Sequence, residues 1–374
     1  MRAQVAVVLV LTGDAAWAGT AKVALLFMTY GDLPLERLWR RWFEGATGLV
    51  YRGCQPESSE ATSECFSHLE AEENHSPIAS QHLFNVYVHP KPDFPGFQPD
   101  SIFTGYELSH RVDSRWAFSS TAMYTLVHAA VHNPSNAFFV LLSEACVPLY
   151  PATVVYLQLV SEPRSRLNAG CAGAPEFGKN VHHTSDSVRR RLDEEAVSWV
   201  KSATWAVLNR KHAEIVSRTH DDFLLSLPDE WYLSTVLYTH NLQNETTCDW
   251  QGPTYQEWTA ADTDHSVTYH SVTLDMLRRM RLGSSYVGVV CDWEAAISQA
   301  ADPGRFGDTR MQKWRGEARA FQAMNDTCPL FMRKLAPDGQ ASFMAALWEG
   351  ELPAAGNLAR KSLHGGKARK LVDV

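Results

Sequence analysis

The chain of 374 residues is 45% hydrophobic and 20% charged, which excludes a disordered polymer and leaves room for one large α/β domain or two ordinary ones. Its formal net charge of -8 excludes general nucleic-acid binding, which needs a basic surface to displace counterions from phosphate. Any phosphate held here must be met by local cations.

Arg2, the apolar run Val5 to Leu11 and then Ala16-Trp17-Ala18 have the charged, hydrophobic and small-residue parts of a secretory signal. The run is too short to span a bilayer, and a shortened anchor or a buried strand are the other readings of residues 1–20. The sequons Asn74-His75-Ser76, Asn244-Glu245-Thr246 and Asn325-Asp326-Thr327 fit a secretory address. None of the seven cysteines forms Cys-x-x-Cys, so a structural zinc site is not expected. An odd count leaves at least one unpaired within the chain, and Cys54 with Cys65 is the expected pair.

Lys22 to Tyr30 is a continuous apolar run, the pattern of a strand buried on both faces in a parallel sheet. A helix follows, opened by Pro34, with Leu35, Leu38, Trp39 and Trp42 on one face and Gly45 and Gly48 at its end. These glycines do not form GxGxxG, so a dinucleotide site is not supported. Residues 54–77 carry six glutamates and neither Lys nor Arg, which predicts a solvated insertion. Leu83 to His89 resumes the sheet, and a helix is predicted from about Ser119 to His132.

Asn136 to Glu144 is the second strong buried strand. Ligands in an open α/β sheet collect where such strands end, which makes Ser143 and Glu144 site candidates as well as ordinary turn residues. Residues 161–198 are the least regular, and a mobile loop on the acceptor side is expected there. A helix is predicted from Asn209 toward Val216, and a short basic one over Leu274 to Met280. Ser285 to Asp292 is a further candidate strand, and a final helix is expected past Pro337. The domain is expected to span 21–345, with a basic flexible tail over 346–374.

Between these lies Pro228-Asp229-Glu230-Trp231-Tyr232-Leu233. Taken alone, two acids behind a proline at the head of an apolar helix are capping chemistry.

Several segments in order, KVALLFMTYGDLPL, VYVH, Ser114-Arg115-Trp116, FFVLLSEACVPLY, WVKSATWAVLNRKHAEIV, PDEWYL, HSVTY and LFMRKLAP, resemble the core-2/I-branching β-1,6-N-acetylglucosaminyltransferases of glycosyltransferase family 14, and more closely the plant-type branch. The resemblance covers roughly residues 22–345. It implies a GT-A-like α/β fold, with a central mostly parallel mixed sheet flanked by helices in a single large domain. It also implies a UDP-sugar donor, a glycan acceptor, inversion at the anomeric carbon, no metal cofactor, and a Golgi or other secretory-pathway location.

On that resemblance Glu230 matches the general base, with Asp229 a cap or orienting neighbour. Lys334 matches the lysine on the diphosphate. Arg333 beside it, His265, His89, Ser143 and Glu144 complete the donor-binding set, although His265 stands where the core-2 enzymes carry an arginine. Lys201, Trp205 and Trp116 are assigned to acceptor binding. The residues bear on the metal independently. Where metal-dependent GT-A enzymes place Asp-x-Asp, this strand ends Ser143-Glu144, and one carboxylate is a poor divalent site. Asp262-Thr263-Asp264 is such a triplet but follows no apolar strand. The donor sugar is open, with GlcNAc the default and glucuronic acid or xylose the alternatives. A catalytically silent glycan-binding module of the same fold is the rival from another class.

Overall fold

The computed structural model describes residues 21–53, 65–69, 75–115, 118–167, 202–247, 252–259, 265–282 and 328–349. Within them the chain runs β1 (Lys22–Met28), α1 (Glu36–Glu44), β2 (Leu49–Tyr51), β3 (Phe66–His68), β4 (Phe84–His89), α2 (Ser120–Val131), β5 (Asn136–Ser143) and β6 (Val147–Pro148). It continues through α3 (Ala152–Val160), β7 (Val207–Asn209), α4 (Arg210–Arg218), α5 (Asp222–Leu225), α6 (Asp229–Thr239), β8 (Thr254–Tyr255), α7 (Leu274–Leu282), β9 (Phe331–Met332) and α8 (Gln340–Glu349).

The central sheet has the order β4-β1-β5-β7. β1 pairs in parallel with β4 and β5, and β7 closes the edge antiparallel to β5. Helices cover both faces, which is why β1 and β5 are apolar without alternation. Val23, Leu25 and Phe27 of β1 enter one core with Phe138, Val140 and Leu142 of β5. Ala24, Leu26, Phe139 and Leu141 enter the other. This is an α/β domain of the GT-A-like kind expected.

On the first face α1 buries Leu38, Trp39, Trp42 and Phe43. Trp39 meets Phe27 edge-on at 5.0 Å, and Trp42 lies 4.8 Å from Phe84. The helix starts at Glu36, so Pro34 sits in the preceding turn and not in the first helical turn. The second face is covered by α2, α4 and α6, through Met123, Leu126, Val127, Ala213, Val216, Tyr232, Leu233 and Val236. α6 has no polar stripe because Trp231 through Leu237 are all buried.

The acidic stretch is not solvated throughout. Phe66, 5% exposed, lies on the β3 strand that pairs antiparallel with β2, and its ring packs on Tyr51 and Tyr156. Local charge density pointed outward there, but one aromatic residue suffices to anchor the hairpin. Cys65 and Cys328 are each held in a disulfide, and Cys146 is a buried free thiol. The expected Cys54 partner of Cys65 lies outside the described residues, as do the candidate strand over 285–292 and the Asp262-Thr263-Asp264 triplet.

A second, three-stranded sheet of order β6-β9-β8 sits beyond the carboxyl end of β5. β9 runs antiparallel to β6 and parallel to β8. The turn from β5 to β6 is only Glu144 to Cys146, so whatever β9 carries at its end arrives beside the end of β5.

His89 ends β4 almost fully buried, 1% exposed, and its Nε2 accepts the Val112 N–H at 3.0 Å. Burial is the main reason its pKa falls from the ordinary 6.5 to about 4. The ring is therefore neutral at pH 7 and braces the connection after β4. An unfolded chain takes up this proton near pH 6.5 and the folded one only near 4. The stability it contributes, roughly 3 kcal/mol at most, is complete above the upper value and lost as pH falls toward the lower one. His89→Gln, whose amide oxygen can accept the same N–H, is expected to lose less melting temperature than wild type between pH 7 and pH 4.5. Trp39→Ala is expected to cost about 3–5 kcal/mol in urea denaturation, the usual scale for emptying a buried indole site.

Candidate active site

β9 delivers the cations. Leu335 N–H donates to Ala145 O at 3.0 Å, and Arg333 N–H to Tyr255 O at 2.9 Å, so Arg333 and Lys334 are held between the end of β5 and β8. Residues 267–269 lie on the other side: Lys334 N–H donates to Val267 O at 3.3 Å and Tyr269 N–H to Lys334 O at 2.9 Å. The His265 segment and Lys334, far apart in sequence, therefore run side by side, with His265 exposed.

Ser143 fixes the first cation. Its Oγ accepts from Arg333 Nε at 3.1 Å and from Ala145 N–H at 3.2 Å, while its own N–H donates to Cys146 Sγ at 3.2 Å. The Arg333 guanidinium carbon lies over the Trp205 ring, 4.8 Å from its centroid, a cation–π contact. Burial pushes the Glu144 carboxyl up from its ordinary range, and Arg333 and Lys334 pull it back down. The end of β5 thus holds one carboxylate and two side-chain cations in one field.

The head of α6 lies near enough for the Arg333 charge to lower the Asp229 carboxyl. Pro228 is the N-cap of this helix, one position earlier than the first-turn place expected. Trp231 and Tyr232 N–H groups donate to its carbonyl at 2.9 and 3.1 Å. Asp229 and Glu230 occupy the first turn, at the positive end of the helix dipole. The Asp229 carboxylate accepts the Ser119 hydroxyl at 2.7 Å and the Thr204 hydroxyl at 3.5 Å. Burial raises its pKa, the Ser119 bond opposes this, and the Glu230 charge adds to it. Ser120 Oγ donates to Leu227 O at 2.6 Å, so the N-termini of α2 and α6 are bonded to each other. Asp229 is committed to that junction, and Glu230 beside it is likewise half-buried.

One short segment joins the two sides. Ser202 N–H donates to Glu230 O at 2.8 Å, Thr204 reaches Asp229, and Trp205 lies under Arg333. Trp205 is only 8% exposed, so its ring supports the guanidinium. Ser143, Glu144, Trp205, Asp229, Glu230, Arg333 and Lys334 are thereby gathered around the carboxyl end of β5. His89 lies at the end of β4, occupied by its backbone bond. Lys201 and Trp116 lie outside the described residues.

Two residues at this edge escaped the sequence reading. Tyr30, just past β1, is 62% exposed, and the Lys91 ammonium sits 5.3 Å from its ring centroid. Lys91 also pairs with Asp113 at 2.9 Å and donates to the Ser114 carbonyl; its bond and charge hold the Asp113 carboxyl below the usual range. The strand-end rule that singled out Ser143 and Glu144 applies equally to the residues after β1 and β4.

Comparison with known proteins follows from this geometry. Glycosyltransferase BC10 of Oryza sativa subsp. japonica is 23% identical over 297 residues, covering 67% of this chain and 63% of that protein. The match therefore spans somewhat less than two thirds of the relative's length. Residues 66–281 match the family described as Core-2/I-Branching enzyme. That stretch is more than half of the chain and contains β5, the Ser202–Ala206 segment and the head of α6, so the chain belongs to the Core-2/I-branching enzyme family.

Proposed function

We propose that this protein is an inverting, metal-independent glycosyltransferase that moves a sugar, GlcNAc by default, from a UDP-sugar to a glycan hydroxyl. The observation that carries this reading is the delivery of Arg333 and Lys334 to the end of β5, with Arg333 bonded to Ser143 at 3.1 Å. In the transfer, the acceptor oxygen forms its bond to the anomeric carbon while the bond from that carbon to the diphosphate breaks. Two tasks follow. The acceptor hydroxyl must lose its proton, and the departing diphosphate must be neutralised.

Glu230 takes the proton. One carboxylate suffices, since the diphosphate leaves as an anion and needs no acid, unlike the two-carboxylate hydrolysis of glycosides. Lys334 and Arg333 stabilise the charge developing on the leaving oxygen, which is worth most when the donors are already fixed in place. Ser143 and Trp205 supply that fixing for Arg333. A divalent cation at the same strand end would stand beside two side-chain cations, Arg333 and Lys334, and their repulsion disfavours it. Asp229 orients the head of α6. His265 is assigned to the donor side because it lies two residues before Val267, whose carbonyl accepts the Lys334 N–H.

The same reading places the protein in the lumen of the secretory pathway, in keeping with its sequons and the disulfide-bonded Cys65 and Cys328.

Purified protein assayed across UDP-GlcNAc, UDP-glucuronate and UDP-xylose tests the proposal and selects the donor. Glu230→Gln is expected to lower kcat by about 10²–10⁴-fold with donor binding retained. Full turnover in that variant removes Glu230 from its role. Wild-type protein that binds glycan but turns over none of the donors is a glycan-binding module instead.

A further inference from the structure

Among the three sequons, only Asn244-Glu245-Thr246 has its asparagine within the described residues. Asn244 occupies the middle of a 3-10 turn, Gln243–Glu245, that follows α6 through Asn241, whose φ of 57° places it in the left-handed region tolerated by asparagine.

The residues around it are tied down. Leu242 is 8% exposed and enters the core beneath α6. Glu245 pairs with Lys211 at 2.7 Å and approaches His212 at 3.4 Å. Thr246, 5% exposed, donates its hydroxyl to Gln243 O at 2.8 Å, and Thr247 N–H donates to Ser165 O at 2.8 Å. Asn244 itself is exposed. A sequon becomes a credible acceptor when its asparagine lies on a surface turn, and this one does.

We propose that Asn244 carries an N-linked oligosaccharide. The inference rests on the proposed lumenal address, because the donor chemistry is found there. The co-reactant is a polyisoprenyl-diphosphate oligosaccharide. The Asn244 side-chain nitrogen forms a bond to the anomeric carbon, the bond from that carbon to the diphosphate breaks, the amide nitrogen gives up one proton to solvent, and the lipid diphosphate leaves.

Burial of Thr246 sets the order of events. Recognition of the sequon needs its hydroxyl, which the folded protein has turned inward, so transfer precedes closure of this turn. Position sets the consequence for activity. α6 begins at Asp229 and ends at Thr239, about 16 Å at 1.5 Å per residue, and Asn244 lies past its far end. The glycan therefore sits at the opposite end of the helix from Glu230.

The full chain expressed in a secreting eukaryotic cell and digested with an amidase that removes N-glycans tests this by peptide mass spectrometry. The expected result is conversion of Asn244 to Asp by the amidase. Asn244→Gln is expected to lose the glycan while keeping wild-type melting temperature and transfer activity within twofold. Thr246→Ser, which keeps the hydroxyl, is expected to retain the glycan. Occupied Asn74 or Asn325 with an unoccupied Asn244 overturns the proposal and leaves the lumenal address standing. A chain with none of the three occupied overturns both.

Discussion

The arrangement depends on one docking event, the seating of β9 against the turn after β5. Leu335 N–H to Ala145 O and Arg333 Nε to Ser143 Oγ, at 3.0 and 3.1 Å, hold it there. Without that contact the end of β5 offers a single carboxylate and no cation. With it, two positive side chains that follow β9 stand near Glu144, on a sheet whose own strands all precede residue 210. The small β6-β9-β8 sheet is therefore best understood as a bracket that carries charge to a strand end.

Charge balance explains why the bracket is so closely supported. Glu144, Asp229 and Glu230 approach from two elements, and burial alone would push the first two toward their neutral forms. Arg333 lowers both in turn, and its orientation is held by one hydrogen bond and one aromatic face. Asp229 is further held by the Ser119 hydroxyl at the head of α2. Charge-assisted bonds of this kind are short and strong when both partners are preorganised. The segment Ser202–Ala206 completes the frame by touching the Glu230 carbonyl, Asp229 and Arg333 in succession.

Much of this was legible in the chain. The two-sided burial of β1 and β5 appears as uninterrupted apolar runs, because parallel strands covered on both faces show no alternation. The helix at Asp229 was legible from Pro228 and the acids behind it. Long-range placement was not. Nothing local in Phe331-Met332-Arg333-Lys334 states that β9 pairs with β6, and only the ordered family resemblance brought Lys334 to the site. Trp205 is assigned to acceptor binding by the resemblance, and its ring is found under the Arg333 guanidinium, a contact that sequence does not show. His89, placed in the donor-binding set, is buried with its ring bonded to the Val112 amide as a neutral brace, which its strand-end position does not reveal. Phe66 shows the same limit in reverse, a single buried ring within a stretch whose composition is that of solvent.

The most direct test of the central claim, that side-chain cations at the end of β5 hold the donor's diphosphate, is calorimetric titration of UDP in EDTA. Wild-type protein is expected to bind UDP in EDTA as tightly as in Mn²⁺. Lys334→Met is expected to bind it about ten- to a hundredfold more weakly, the loss of one charge-assisted contact of about 1.5–3 kcal/mol. Binding that appears only when Mn²⁺ is added, or a Lys334→Met variant with wild-type affinity, contradicts the account.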